Sequence, residues 1–253
     1  MRGCRSLGLV LVVGFLAGAP AVGWSPRTQI AIGDQAVKIA PPDLRRQLVK
    51  HRRELRRGLL APYESADARF HVKNAAGQGA LDQAIRAETE RAIEAIRAHR
   101  PFSEIVYRLG VVAHFLADLN NPLAVDDADP DEATYYADYL RYVESAQPRF
   151  SVVFYGTGRK VERAGDLDGL LTASLERGRL LYPLIGREYD HAGRVAGISD
   201  FDDRSTAFGV GSLAFSHAVS DVASVMRYIW IEAGGADQRR LPLSPAAELG
   251  TGR

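Results

Sequence analysis

Apolar residues recur every three or four positions along almost the whole of this chain, and proline or glycine stands at most of the breaks. No long run alternates apolar with polar. That pattern dictates helices packed on helices and leaves no material for a sheet. The spacing predicts a first helix from near Pro26 to about Ile39, with Ile30, Gly33 and Val37 near one face. Pro41-Pro42 breaks it, and Asp43 opens a second helix to about Leu59. Asp82 to His99 reads as a long amphipathic helix with Ile85, Thr89, Ala92, Ile93 and Ile96 on one side. Pro101 suits the first turn of the next helix, which runs to about Leu119. Further helices are expected over Glu132 to Ala146, Asp168 to about Arg187, and Ser205 to Ala233. Phe150 to Tyr155 is the one stretch with strand character. The expected fold class is all-α, a single-domain multi-helix bundle.

The start of the chain reads as a leader. Arg2 and Arg5 precede an uncharged apolar run from Leu7 to Ala17, and Ala21-Val22-Gly23 supplies small residues for a cleavage site. The run is too short to span a bilayer. Removing 23 of the 253 residues leaves 230, beginning at Trp24 and enough for one domain. An exported protein, periplasmic or secreted, is the expectation. Cys4 is the only cysteine and departs with the leader, so disulfides and thiol chemistry are excluded from the mature chain. A helical domain is expected over residues 24–235, with a loose tail over 236–253.

Net charge is +1 overall, which does not single out nucleic acid as a partner. The basic residues are nonetheless crowded: Arg45, Arg46, Lys50, Arg52, Arg53, Arg56 and Arg57 share one stretch. Such a run is either a solvated helix face or a patch that meets an anionic membrane surface or phosphate. Asp126, Asp127, Asp129, Asp131 and Glu132 form an acidic loop. It lacks the glycine and spacing of a calcium-binding loop and reads as solvated.

The segment Arg108 to Ala124, RLGVVAHFLADLNNPLA, is the strongest chemical signal. His114 and Asp118 are four apart on a predicted helix, which sets an imidazole beside a carboxylate. Nitrogen and oxygen donors together suit zinc. Gly110, Ala113 and Ala117 are small enough to admit a second helix closely. Asp67/His71 and His217/Asp221 share the four-residue spacing. Each pair alone also fits an ordinary helix-surface or core hydrogen bond.

HFLADLNNPLA resembles the signature of the zinc-dependent phospholipase C family, which is related to the single-strand-specific zinc nucleases. That signature has a His, an Asp four later, a Pro four after that and a His two beyond. His114, Asp118 and Pro122 match it; Ala124 stands where the last His would be. Mature members begin with a Trp whose amine and carbonyl bind metal, and Trp24 occupies that place. The stretch from Ala218 to Gly234, with Trp230, is similar to the family's last helix.

The resemblance implies metal ligands at Trp24, His71, His114, Asp118 and Glu144, and a bridging carboxylate of the catalytic site just before His71, where Asp67 and Glu64 both stand and Asp67 is the candidate. It also implies zinc as cofactor and a phospholipid or other phosphodiester as substrate. Gln29, Ala124 and Leu140 occupy positions where the family has His, so an intact three-metal cluster is not expected. The remnant is one site built from His71, His114 and Asp118. Two expectations follow: an exported phosphodiester hydrolase acting on phospholipid, or a metal-depleted, inactive relative serving as a binding or structural module.

Overall fold

The computed structural model describes residues 23–64, 67–156, 166–193 and 201–235. The expected leader, residues 1–23, lies outside the described residues except for Gly23, and the expected tail, 236–253, lies wholly outside them. Nine α-helices are present among the described residues: α1 (Pro26–Ile39), α2 (Pro42–Lys50), α3 (Arg52–Leu60), α4 (Leu81–Arg97), α5 (Phe102–Leu119), α6 (Pro122–Val125), α7 (Glu132–Ala146), α8 (Leu167–His191) and α9 (Thr206–Glu232). No described residue is in a strand. No helix is long and apolar enough to cross a membrane among the described residues.

Helix boundaries follow the chemistry of the flanking side chains. Ser25 caps α1 by accepting from the Thr28 amide, and Ser205 caps α9 by accepting from the Phe208 amide. Asp166 does the same for α8 through the Gly169 amide. The single helix expected over 43–59 is two, because His51 leaves the helical region (φ −109°, ψ 34°) and turns the chain between α2 and α3.

Helix α5 is the axis of the molecule, and α3, α4 and α9 pack against it. From Ile105 to Leu119 it is buried nearly all round, including Val112, Leu116, His114 and Asp118. The closest approach is between α3 and α5. A Cβ on Gly58 would run into the Tyr107 carbonyl oxygen and lie 3.0 Å from the Gly110 Cα. The two helices therefore touch backbone to backbone, as the small residues of α5 implied. This contact sets where the end of α3 lies along α5.

Two expectations are corrected. The buried face of α1 is Thr28, Gln29, Ile32, Gly33 and Ala36, while Ile30 and Val37 lie at its margin. The second correction concerns Phe150 to Tyr155, which lies in no regular element and pairs with no strand among the described residues. The Val153 amide donates to Ser216 Oγ (3.2 Å) and the Tyr155 amide to Ser220 Oγ (3.1 Å), both on α9. A period-two backbone thus reads a helix whose serines are four apart. Phe150 anchors the segment in the core against Phe208 and Phe215.

Candidate metal centre

Three polar side chains meet in the core. His114 and Asp118 lie one turn apart on α5, and both are fully buried. His71 ends a 3₁₀ turn over Ala68–His71 that packs on α5, and is 5% exposed. His71 Nδ1 is 2.8 Å from Asp118 Oδ2, His114 Nε2 is 3.2 Å from the same oxygen, and His114 Nε2 is 3.2 Å from His71 Nδ1. Among the described residues this is the one group of three or more such side chains whose donor atoms converge closely enough to hold a metal ion.

Each imidazole turns its other nitrogen to a backbone carbonyl. His114 Nδ1 donates to Leu59 O at 2.7 Å, and His71 Nε2 faces Pro62 O at 3.3 Å. Leu59 lies in the last turn of α3, where carbonyls have no helical partner. The Gly58–Gly110 contact brings that carbonyl to His114, which is one turn beyond Gly110. Carbonyls only accept, so both outward nitrogens carry hydrogen. The inner nitrogens, His71 Nδ1 and His114 Nε2, both face Asp118 Oδ2. Burial opposes charge on His71, but the Asp118 carboxylate outweighs it and holds the ring above the ordinary histidine range. Burial opposes the charge on Asp118 too, but the two imidazoles outweigh it and hold the carboxyl below its usual range.

The other oxygen of Asp118 is also engaged. Gln29 Nε2 donates to Oδ1 at 2.8 Å and to the His114 carbonyl at 3.3 Å, and the Trp24 amide donates to Oδ1 at 3.3 Å. Gln29 Oε1 is left buried without a partner. Trp24 is buried, its indole donating to Ala117 O at 2.8 Å, and its carbonyl accepts from the Tyr63 hydroxyl. The Tyr63 ring stands edge-on to His114 with centroids 4.8 Å apart, and Phe115 closes over both imidazoles.

The other residues expected at the site lie apart from the three. Asp67 points to the surface, where Arg69 grips it with bonds of 2.9 and 2.7 Å. Glu144, on α7, has Arg27 3.9 Å away, and its charge acts on the Tyr63 hydroxyl. Leu140 packs on the core. Asp221 pairs with Arg177 at 2.7 Å and accepts from Ser174 and Asn120, while His217 stacks on Tyr155. Tyr63, Tyr136 and the Leu59 and Pro62 carbonyls were invisible to sequence reasoning. Gln29 carried a signal, since it shares a helix face with Ile32, Gly33 and Ala36.

Beside this cluster lies a cavity of about 960 Å³. Val72, Leu123, Ala124, Ala133 and Ala137 give it apolar walls, and Tyr136 joins it to the cluster by accepting from the Gly23 amide at 3.1 Å. The acidic loop, with Asp127 and Asp131 exposed as expected, also lines it through Asp126, Asp127, Asp129 and Glu132. Asp127 accepts from Asn74 and Asp129 from Tyr135. Glu132 takes the Tyr182 hydroxyl at 2.6 Å. Burial and the charges of Asp127, Asp129 and Asp126 outweigh that bond and raise Glu132 to about 7.

No family model matches the sequence, and no curated protein matches it. Solved structures do. The alpha toxin of Clostridium absonum superposes with a TM-score of 0.62 at 14% identity, over 85% of this chain and 68% of that one. The alpha-toxin of an avian strain of Clostridium perfringens gives 0.55 at 13%, over 85% and 67%. The chain therefore has the fold of the clostridial alpha-toxins, which is the fold that its resemblance to the zinc-dependent phospholipase C family implied.

Proposed function

We propose that this protein is an exported, zinc-dependent, phospholipase C-like hydrolase that cleaves phosphodiester bonds, most suitably those of phospholipids, with one metal rather than three. The observation that carries the reading is the pairing of His71 and His114. Both rings give their outer nitrogen to a backbone carbonyl and turn the inner one toward Asp118. That is how metal-binding histidines are held, with the far N–H fixed by an acceptor.

The donor set fits the ion. Tetrahedral zinc with bonds of about 2.0–2.1 Å sets its ligand atoms about 3.3–3.4 Å apart. The three atoms here form a triangle of 2.8, 3.2 and 3.2 Å. Inner nitrogens free of hydrogen on both rings would leave room for one ion, with the bonds to the Leu59 and Pro62 carbonyls kept. Gln29 and Trp24 hold Asp118 in place through its second oxygen. Among the described residues a second ion finds no comparable cluster of donors: Ala124 and Leu140 offer none, and the Trp24 carbonyl accepts from Tyr63. Bound zinc would supply Lewis acidity and a water of lowered pKa. The cavity bounded by Val72, Ala124 and Tyr136 would hold the substrate.

One observation favours a second reading, a metal-poor binding module. None of the three side chains lines the cavity, and the Asp118 carboxylate already receives Gln29, Trp24 and both histidines.

Metal content of the purified protein, measured by mass spectrometry beside a His114→Ala control, separates the two. Zinc near one per chain, lost in the control, with turnover of phospholipid or a soluble phosphodiester supports the hydrolase. Zinc without turnover supports a binding module with a structural metal. No zinc after incubation sinks the metal site and the hydrolase together. N-terminal sequencing of exported material tests the leader; a start other than Trp24 would remove that part of the proposal.

A further inference from the structure

Helices α2 and α3 form an outward-facing basic surface remote in chemistry from the metal centre. Residues 38–57 carry eight basic and two acidic side chains, in a chain whose net charge is +1. The structure shows which of those cations are engaged. Arg52 and Arg56 close on Asp34 at 2.6 and 2.8 Å, and Arg46 pairs with Asp43. Arg57 lies over the Tyr107 ring, 4.9 Å from its centroid. Lys50 and Arg53 have no ion-pair partner among the described residues, and Arg45 meets only the Lys38 carbonyl at 3.2 Å.

Apolar side chains are exposed in the same place. Leu44 and Leu48 turn α2 inward, which leaves Arg45, Arg46, Val49 and Lys50 outward at helical spacing. Val49 is 59% exposed, and Ile39, at the end of α1, is 37% exposed. Arg45, Arg46, Val49 and Lys50 surround a shallow hollow of about 330 Å³. Uncommitted cations around a protruding valine match a bilayer interface, where charge meets anionic headgroups and the apolar side chain enters below them. A soluble polyanion would use the charge and leave Val49 in water.

We infer that the α2–α3 face, through Arg45, Val49, Lys50 and Arg53, docks the protein on an anionic lipid bilayer. This surface stands apart from the hydrolase reading, because none of its residues touches His71, His114 or Asp118.

The test is co-sedimentation of the whole protein with vesicles of phosphatidylcholine alone and of phosphatidylcholine with phosphatidylglycerol. Partition onto the anionic vesicles is expected to exceed that onto neutral ones at least tenfold, and to fall steeply as salt is raised. Reversal of three cations (Arg45→Glu, Lys50→Glu, Arg53→Glu) should weaken it by about fivefold or more per cation. Val49→Ser should weaken it with no change in the charge of the surface. Circular dichroism and zinc content of both variants confirm that the fold and metal site persist. Equal partition onto both vesicle types, or no effect of charge reversal in a folded variant, overturns the inference. So does binding to heparin with none to anionic vesicles, which would make the partner a soluble polyanion.

Discussion

The backbone carbonyl of Leu59 accepts from His114 Nδ1 at 2.7 Å, and the residue just before it, Gly58, lies 3.0 Å by its notional Cβ from the Cα of Gly110. Helix crossing and imidazole orientation are therefore one structural fact. Gly58→Ala would press a methyl into the Tyr107 carbonyl and push α3 off α5. Overpacking of this kind costs about 1–3 kcal/mol. Urea denaturation should show that loss, and zinc content should fall with it because the His114 ring loses its acceptor. A variant of unchanged stability and unchanged zinc content would mean that the crossing does not set the ring.

Asp118 is the acceptor on which the buried cluster converges. Asp118→Ala would strand the Gln29 amide, the Trp24 amide and two imidazoles in the core. Breaking a buried charged network by removing one partner costs about 3–5 kcal/mol. Gln29→Leu removes a single donor and should cost less, on the order of 1 kcal/mol. Chemical denaturation of the two variants should therefore rank them clearly, and equal effects would contradict the bonding described.

Glu132 makes stability depend on pH in a definite direction. Its folded pKa, about 7, lies above the ordinary 4.5, so the folded state binds more protons between those values. Stability then falls as pH rises from about 4.5 to 7 and levels off above. Glu132→Gln should flatten that slope and raise stability at pH 8. Denaturation midpoints across that range check it; a slope that survives the substitution assigns the effect elsewhere.

Ser216 and Ser220 hold the extended segment through the amides of Val153 and Tyr155. Ser220→Ala should release the Tyr155 amide at about 1 kcal/mol. Hydrogen exchange at Tyr155 would quicken several-fold, with Val153 less affected. Unchanged exchange at both would show that the serines merely lie nearby.

How much of this was legible in the sequence follows from the range of the interactions. Helix periods, the breaks at proline, and the pairing of His114 with Asp118 are local, and they stand out in one dimension. Phe150 to Tyr155 misled because an extended backbone and an apolar composition look alike whether the partner is a strand or a serine-bearing helix. Asp67 and His71 sit four apart, but the chain there is a short 3₁₀ turn, so Asp67 swings to Arg69 while His71 enters the core. The acids of the 126–132 loop have no pattern that announces a cavity wall; that role comes from α7 and α8 meeting over them. Tyr63 and the Leu59 and Pro62 carbonyls are set by a long-range crossing and leave no local trace.

Gly23 has φ +103°, and a Cβ there would overlap the Asp118 carboxylate. The peptide joining Gly23 to Trp24 therefore passes directly over the buried acid. While that bond is intact, Trp24 offers Asp118 a single uncharged N–H. Hydrolysis of the same bond would turn the nitrogen into an ammonium against a carboxylate in a dry core. Removal of the proposed leader at that bond would thus change the electrostatics of the centre, and chain cut there should differ from uncut chain in its affinity for a cation.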